Sequence, residues 1–434
     1  MLTIRLPMPR WEQWVLSLLN NCYNNMIKKR SFWISLCLVN LCIVAFLGLS
    51  LRSKILFPLH LVDYRNFLSA HSHFAFAGWA GLCLITLLIY DLLPQHFSQK
   101  KIYQWILAGL EISALGMAFT FPFYGYNGLS IFFSTLYVVV TVVFAPVFIK
   151  DVLQSARHKT VKLLSISAVV CLIISFLGTL GLAYILLARS GNSLLYRDSI
   201  YTFLHFQYNG FFTCSVFALF LNNVSKKGIL IDRNAGNFAV LLCLSIAPAL
   251  FLSLLWHNSV WIYVVAAIGC VCILISLYYF FSFLRRVQPA QLFSSGIART
   301  LWQFSIFSFG LKMLLNVGTI FPQLGNAVYG DRPVIIGFLH LVFLGFLSFY
   351  LLATFIENGY FSKKNKVITY PFIIFSFGII ANEFLLMLQG LGILLKTNND
   401  IYKWLLWATA IILFAGALSI AFARLAVVKS SGSK

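Results

Sequence analysis

Twelve stretches of nearly continuous apolar residues dominate this sequence and leave little choice of fold. Each is close to the ~20 residues a helix needs to cross a bilayer. They fall at roughly 31–51, 68–92, 103–122, 128–150, 161–187, 199–221, 237–257, 260–284, 299–320, 333–356, 369–391 and 401–425. The connections are short, and no soluble domain interrupts the series. Only 10% of the residues are charged and 60% are hydrophobic, whereas soluble domains carry about 25% charge. A soluble fold is excluded. The expected fold class is all-α, a polytopic membrane protein of twelve transmembrane helices. Residues 1–30 read as a basic, amphipathic cytoplasmic N-terminal segment, 31–425 as the membrane domain and 426–434 as a short cytoplasmic tail. Pro146 and Pro248 fall inside the fourth and seventh segments, where a kink is expected.

An even number of crossings puts both termini on one side. With the N-terminus inside, the inner connections and ends hold 23 of the 32 Lys and Arg residues and the outer connections hold 7. Lys312 and Lys403 fall within helices. This positive-inside bias accounts for most of the net charge of +21, so nucleic acid is not needed as a partner. The membrane lipid is. The expected location is a bacterial cytoplasmic membrane, with both termini in the cytoplasm. The nine cysteines lie mostly in apolar segments, without a C-x-x-C-H or a zinc spacing, and read as small buried hydrophobes.

Histidine is the chemically informative residue. His60, His96 and His158 fall in loops or at helix margins. His71 and His73 lie near the start of the second segment, His205 near the start of the sixth, His257 at the end of the seventh and His340 near the start of the tenth. At ~1.5 Å per residue, the topology puts all of these in the outer third of the membrane, on four helices. Neutral imidazole is a common metal ligand and a usual axial ligand of haem iron. Two opposed rings would hold a low-spin haem, and three on one side would suit copper or non-haem iron. The competing interpretation is a set of lone histidines bonded to nearby carbonyls. His71 and His73 are two residues apart, so a helix aims them about 200° apart, and one helix cannot easily offer both to one iron.

This layout resembles the large subunit of the haem–copper oxidase superfamily, which includes cytochrome oxidases and nitric oxide reductases. The resemblance implies a twelve-helix bundle in which a low-spin haem b is held between the second and tenth helices. It also implies copper or non-haem iron held from the sixth and seventh, and a high-spin haem on the tenth. Gly337-Phe338-Leu339-His340 is similar to the tenth-helix stretch, with His340 as the low-spin ligand and Phe338 where the high-spin ligand belongs. Tyr90 and Pro94 close the second segment as in the reductase branch, which favours His73 over His71 as the partner ligand. His205-Phe206-Gln207-Tyr208-Asn209 carries Asn209 in place of a glutamate, and Trp256-His257-Asn258 carries Asn258 in place of a second histidine. The resemblance thus implies a surviving haem b site at His73 and His340, a second metal site reduced to His205 and His257, and a degenerate oxygen-reducing centre.

Arg65 and Arg332 each precede a candidate ligand by about eight residues and suit the carboxylates of a haem, or serve as ordinary flank anchors. Glu111, Lys312 and Glu383 lie deep in apolar segments and are expected to face the bundle interior, as ion pairs or as a polar path. The leading expectation is a membrane haem protein for electron transfer or sensing. Its partners would be a quinol or a small electron-transfer protein, and further membrane subunits. An active oxygen or nitric oxide reductase with a rebuilt metal site is one alternative. A cofactor-free transporter lined by Glu111, Lys312 and Glu383 is another.

Overall fold

The computed structural model describes residues 30–361, 369–397 and 399–432, and every regular element among them is helical. Most of the N-terminal segment expected at 1–30 therefore lies outside the described residues. Among the described residues, ten helices are long and apolar enough to cross a membrane. They are α1 (Arg30–Leu56), α2 (Tyr64–Leu92), α3 (Lys101–Tyr124), α4 (Gly128–Gln154), α5 (Lys159–Leu187), α7 (Arg233–His257), α8 (Val260–Leu284), α10 (Arg332–Glu357), α11 (Thr369–Leu394) and α12 (Ile401–Gly432). Two further helices occupy the remaining apolar segments: α6, residues 193–226, and α9 (Gly296–Gly318). Gln207 and Asn209 in α6, and Gln303, Lys312 and Asn316 in α9, lower the hydropathy of these two below that of the ten. The last helix runs on to Gly432, past the expected boundary at 425.

Several helix starts are set by short polar side chains that accept from otherwise unpaired backbone N–H groups. Asp63 accepts from Asn66, Asn127 from Leu129 and Ser130, Asn192 from Leu195 and Asp232 from Ala235. The chain closes on itself where α12 packs against both α11 and α1. Gly416 permits the α11–α12 approach: a Cβ there would stand 2.7 Å from the Phe375 Cα. The phenylalanine excess is partly explained by a buried cluster around Phe217 of α6. Its ring lies 4.8 Å from Phe238, 5.1 Å from Phe280 and 4.6 Å from Phe309, joining α6 to α7, α8 and α9. Many other aromatic and aliphatic side chains, such as Phe119, Phe307 and Phe377, face outward, as a lipid-exposed surface requires.

Among the described residues four helices are not regular throughout: α7 ends in a 3-10 stretch at Leu250–His257, α2 has a π-turn at Leu88–Leu92 near its end, and α2, α6 and α10 each carry a longer one. Seven or eight residues form π-helical turns at Ala75–Gly81 in α2, Phe206–Phe212 in α6 and Leu341–Ser348 in α10. A π-turn breaks the i to i+4 ladder and frees carbonyls. Within a membrane such carbonyls must be satisfied by protein, and here neighbouring helices do so. Asn40 Nδ2 of α1 donates to Gly78 O at 2.8 Å, Lys312 Nζ of α9 to Tyr208 O at 3.2 Å, and Ser305 Oγ of α9 to Phe346 O at 2.7 Å. Thr213 Oγ1 and Ser348 Oγ reach back to Tyr208 O and Phe343 O, five residues earlier.

Candidate functional site

The three longer π-turns begin next to the histidines. His205 and His340 are the last residues of regular helix before the turns in α6 and α10, and His71 and His73 lie in the final turn before the one in α2. The extra residue of a π-turn rotates everything beyond it, so these turns set how each histidine face relates to the inner half of its helix. π-turns recur at functional sites for this reason.

The helices of His71 and His340 pack together, with the Phe76 and Phe343 rings 4.6 Å apart and Trp79 bonded to Ser348 at 3.0 Å. His340 lies within electrostatic reach of both His71 and Arg52, and His71 within reach of Arg52. His71 Nδ1 bonds Val44 O of α1 at 3.1 Å, and His340 Nδ1 bonds Ile336 O one turn back at 2.7 Å. A carbonyl on Nδ1 places the proton there and leaves Nε2 with the lone pair that ligates metal. Gly48 flanks the His71 ring, where a Cβ would stand 3.1 Å from Cε1.

His73 points elsewhere, as the 200° separation requires. Its Nδ1 bonds Ser69 O at 2.8 Å. Its ring stacks on Phe121 of α3 at 4.6 Å and meets Tyr126 edge-on at 5.9 Å. His71, and not the expected His73, is thus the second-helix histidine whose charge acts on His340. The motif at the far end of the helix, Tyr90 and Pro94, could not report which face of α2 turns toward α10.

The second metal site does not assemble. His205 Nε2 bonds Ile246 O at 2.8 Å, and its Nδ1 pairs with Asn209 Nδ2 at 3.1 Å. Both ring nitrogens of this fully buried residue are thus engaged. His257 closes α7 beside Asn258, which takes the left-handed conformation that ends the helix (φ 51°). Its Nε2 faces the Asp198 carboxylate at 3.0 Å, and Trp256 Nε1 donates to the same carboxylate at 3.0 Å. His205 contacts α7 eleven residues before His257, about 20 Å along a helix that is mostly 3-10 over this stretch, so the two do not share a ligand. No group of three or more His, Cys, Asp and Glu suited to a metal ion occurs among the described residues. The residues present fit a haem between His71 and His340. They do not fit copper or non-haem iron at His205 and His257.

Phe338, at the position the resemblance assigns to a high-spin ligand, packs edge-on against Tyr208 at 5.5 Å. It lines a small cavity of about 20 Å³ with Tyr201, Tyr208, Asn316, Thr319 and Leu339. Arg65 and Arg332 are both exposed at the starts of α2 and α10. The arginine near the paired histidines is Arg52 of α1, which sequence reasoning treated only as a loop charge. A signal was present: Gly48 and Arg52 are four residues apart and share one face of the first segment.

The three charged residues deep in the bundle do not pair. Glu111 Oε2 accepts from Asn40 Nδ2 at 2.8 Å, Lys312 bonds Tyr208 O and Thr213 Oγ1, and Glu383 Oε1 accepts from Asn382. The expected ion pairing among them is replaced by neutral partners, two of which serve π-turns. No protein-family model and no curated protein matches the chain.

Proposed function

We propose that this chain is an integral membrane haem protein of the haem–copper oxidase type, with one non-covalent, low-spin haem b between His71 and His340. The carrying observation is that these imidazoles stand on two helices that pack together, and both make their hydrogen bonds through Nδ1. A haem bound by two imidazoles supplies one-electron redox chemistry and leaves iron no open position. The protein residues hold the geometry. Val44 O and Ile336 O fix the two rings, Gly48 makes room for one of them, and Arg52 offers a cation to the carboxylates of the group.

The function that follows is electron transfer or haem-based sensing. Reduction of oxygen or nitric oxide would need a further metal, and His205 has both nitrogens occupied. A transporter path would need Glu111, Lys312 and Glu383 to communicate, and each is engaged with neutral groups. The proposal includes twelve crossings, with α6 and α9 completing the set, and both termini in the cytoplasm of a bacterial inner membrane. It also includes a quinol or small electron-transfer protein as redox partner and further membrane subunits.

The test is purification followed by reduced-minus-oxidised spectra, pyridine haemochrome and metal analysis. One haem b per chain with a low-spin spectrum and no copper is expected. A well-folded preparation without haem overturns the proposal. Two haems, or haem with stoichiometric copper, would instead establish a reductase.

A further inference from the structure

The end of α2 opposite the histidines carries an excess of cations. Arg30 Nη2 of α1 contacts the Asp91 carboxylate at 2.5 Å. Lys226 Nζ of α6 donates to Asp91 O at 2.7 Å, and Arg157 Nε, between α4 and α5, donates to Leu92 O at 2.6 Å. Arg424 of α12 lies behind them. It is 4% exposed, and its guanidinium stands 5.1 Å from the Tyr360 ring centre, while that of Arg30 stands 5.2 Å from the same ring. Two helices and one connection thus bring three cations, Arg30, Lys226 and Arg157, to the end of α2 that carries Asp91, while Arg424 is satisfied by Tyr360 O and Ser35 Oγ. Glu357, further along α10, is already engaged by Lys227 and Ser294.

Cations at the C-terminal end of a helix are stabilised by its dipole, equivalent to roughly half a negative charge. That dipole and Asp91 together offset about one and a half of the three positive charges. Lys226 also feels Arg157 and Arg30 as like charges. Holding such groups together, partly withdrawn from water, is costly without a counter-anion. Arg30 Nε, moreover, is a buried donor without a hydrogen-bond partner among the described residues.

We propose that this cluster binds a phosphate-bearing anion, and that its source is the headgroup of an anionic phospholipid. The level of the cluster, at the ends of membrane-length helices, is where lipid phosphates lie, and basic pockets between helices recognise such headgroups. Phe422 and Leu425, beside Arg424 on α12, face outward and offer apolar surface to acyl chains.

The test is thermal unfolding of the detergent-purified chain with added phosphatidylglycerol, phosphatidylcholine or inorganic phosphate at matched ionic strength. Phosphatidylglycerol should raise the midpoint by several degrees and the other two should not. The gain should fall by at least half in Lys226→Gln and in Arg157→Gln. It should persist in Arg285→Gln, which removes an exposed arginine elsewhere. An equal gain with inorganic phosphate overturns the lipid assignment. No gain with any anion, or a gain unchanged in both cluster variants, overturns the site.

Discussion

Trp79 donates its indole N–H to Ser348 Oγ at 3.0 Å, joining the π-turn of α2 to the end of the π-turn of α10. Both side chains are fully buried. The bond fixes the depth of one helix against the other, and so the level at which His71 meets His340. Removing it by Trp79→Phe keeps most of the packing and leaves the Ser348 hydroxyl only its bond to Phe343 O. The expected cost is about 1 kcal/mol, read as a lower unfolding midpoint. The haem spectrum should also broaden as the ligand register loosens. A variant with unchanged stability and spectrum would show that the bond does not hold the register.

The assignment of the α2 ligand makes a sharp distinction between neighbours. His71→Ala and His340→Ala should each abolish the low-spin haem signal. His73→Ala should retain it, because its ring is turned to α3, where it stacks on Phe121 and meets Tyr126. Reduced-minus-oxidised spectra of the three variants decide the matter. Loss of signal in His73→Ala alone would restore the assignment that the second-segment motif favours.

Gly48 should be intolerant for a local reason. Its added Cβ would stand 3.1 Å from His71 Cε1, and Val44 O, one turn earlier on the same helix, holds the ring against that position. Gly48→Val is expected to displace the imidazole and lower haem occupancy several-fold in a protein that still folds. Haem content per chain, alongside the unfolding midpoint, separates this outcome from general destabilisation.

The fold was largely legible in the sequence because lipid allows few solutions. Long apolar runs must become helices, and the positions of Asp63, Asn127, Asn192 and Asp232 mark where several begin. The positions of the histidines along their helices were legible too, since these follow from counting residues. Their rotation about each helix axis was not. The π-turns after His73, His205 and His340 shift that rotation, and no short pattern marks them. They depend on partners far away in sequence: Asn40 for Gly78, Lys312 for Tyr208 and Ser305 for Phe346. The same blindness hid Arg52, whose relevance comes from how α1 packs on α2.

Asn40 shows what those distant partners contribute. Its amide uses one N–H on Gly78 O and another on Glu111 Oε2, both at 2.8 Å. Asn40→Leu keeps the approximate volume and leaves a carbonyl and a carboxyl group without their donor in the bundle core. A loss of about 1–3 kcal/mol is expected, seen in chemical unfolding in mixed micelles. Pairing the change with Glu111→Leu should recover part of that loss, because one stranded acceptor is then removed. If the double variant is less stable than the single one, the pair is not coupled in the way the geometry states.

His205 offers the complementary test, since it is a buried histidine whose role is argued to be structural. Its Nε2 holds Ile246 O of α7 and its Nδ1 takes the Asn209 amide. His205→Phe should therefore cost stability, on the order of 1–3 kcal/mol for the stranded carbonyl and amide. It should leave haem stoichiometry, the low-spin spectrum and metal content unchanged. Haem and metal analysis of the purified variant checks this directly. A variant that keeps its stability but loses a bound metal would place His205 back among the ligands and return the chain to the reductases.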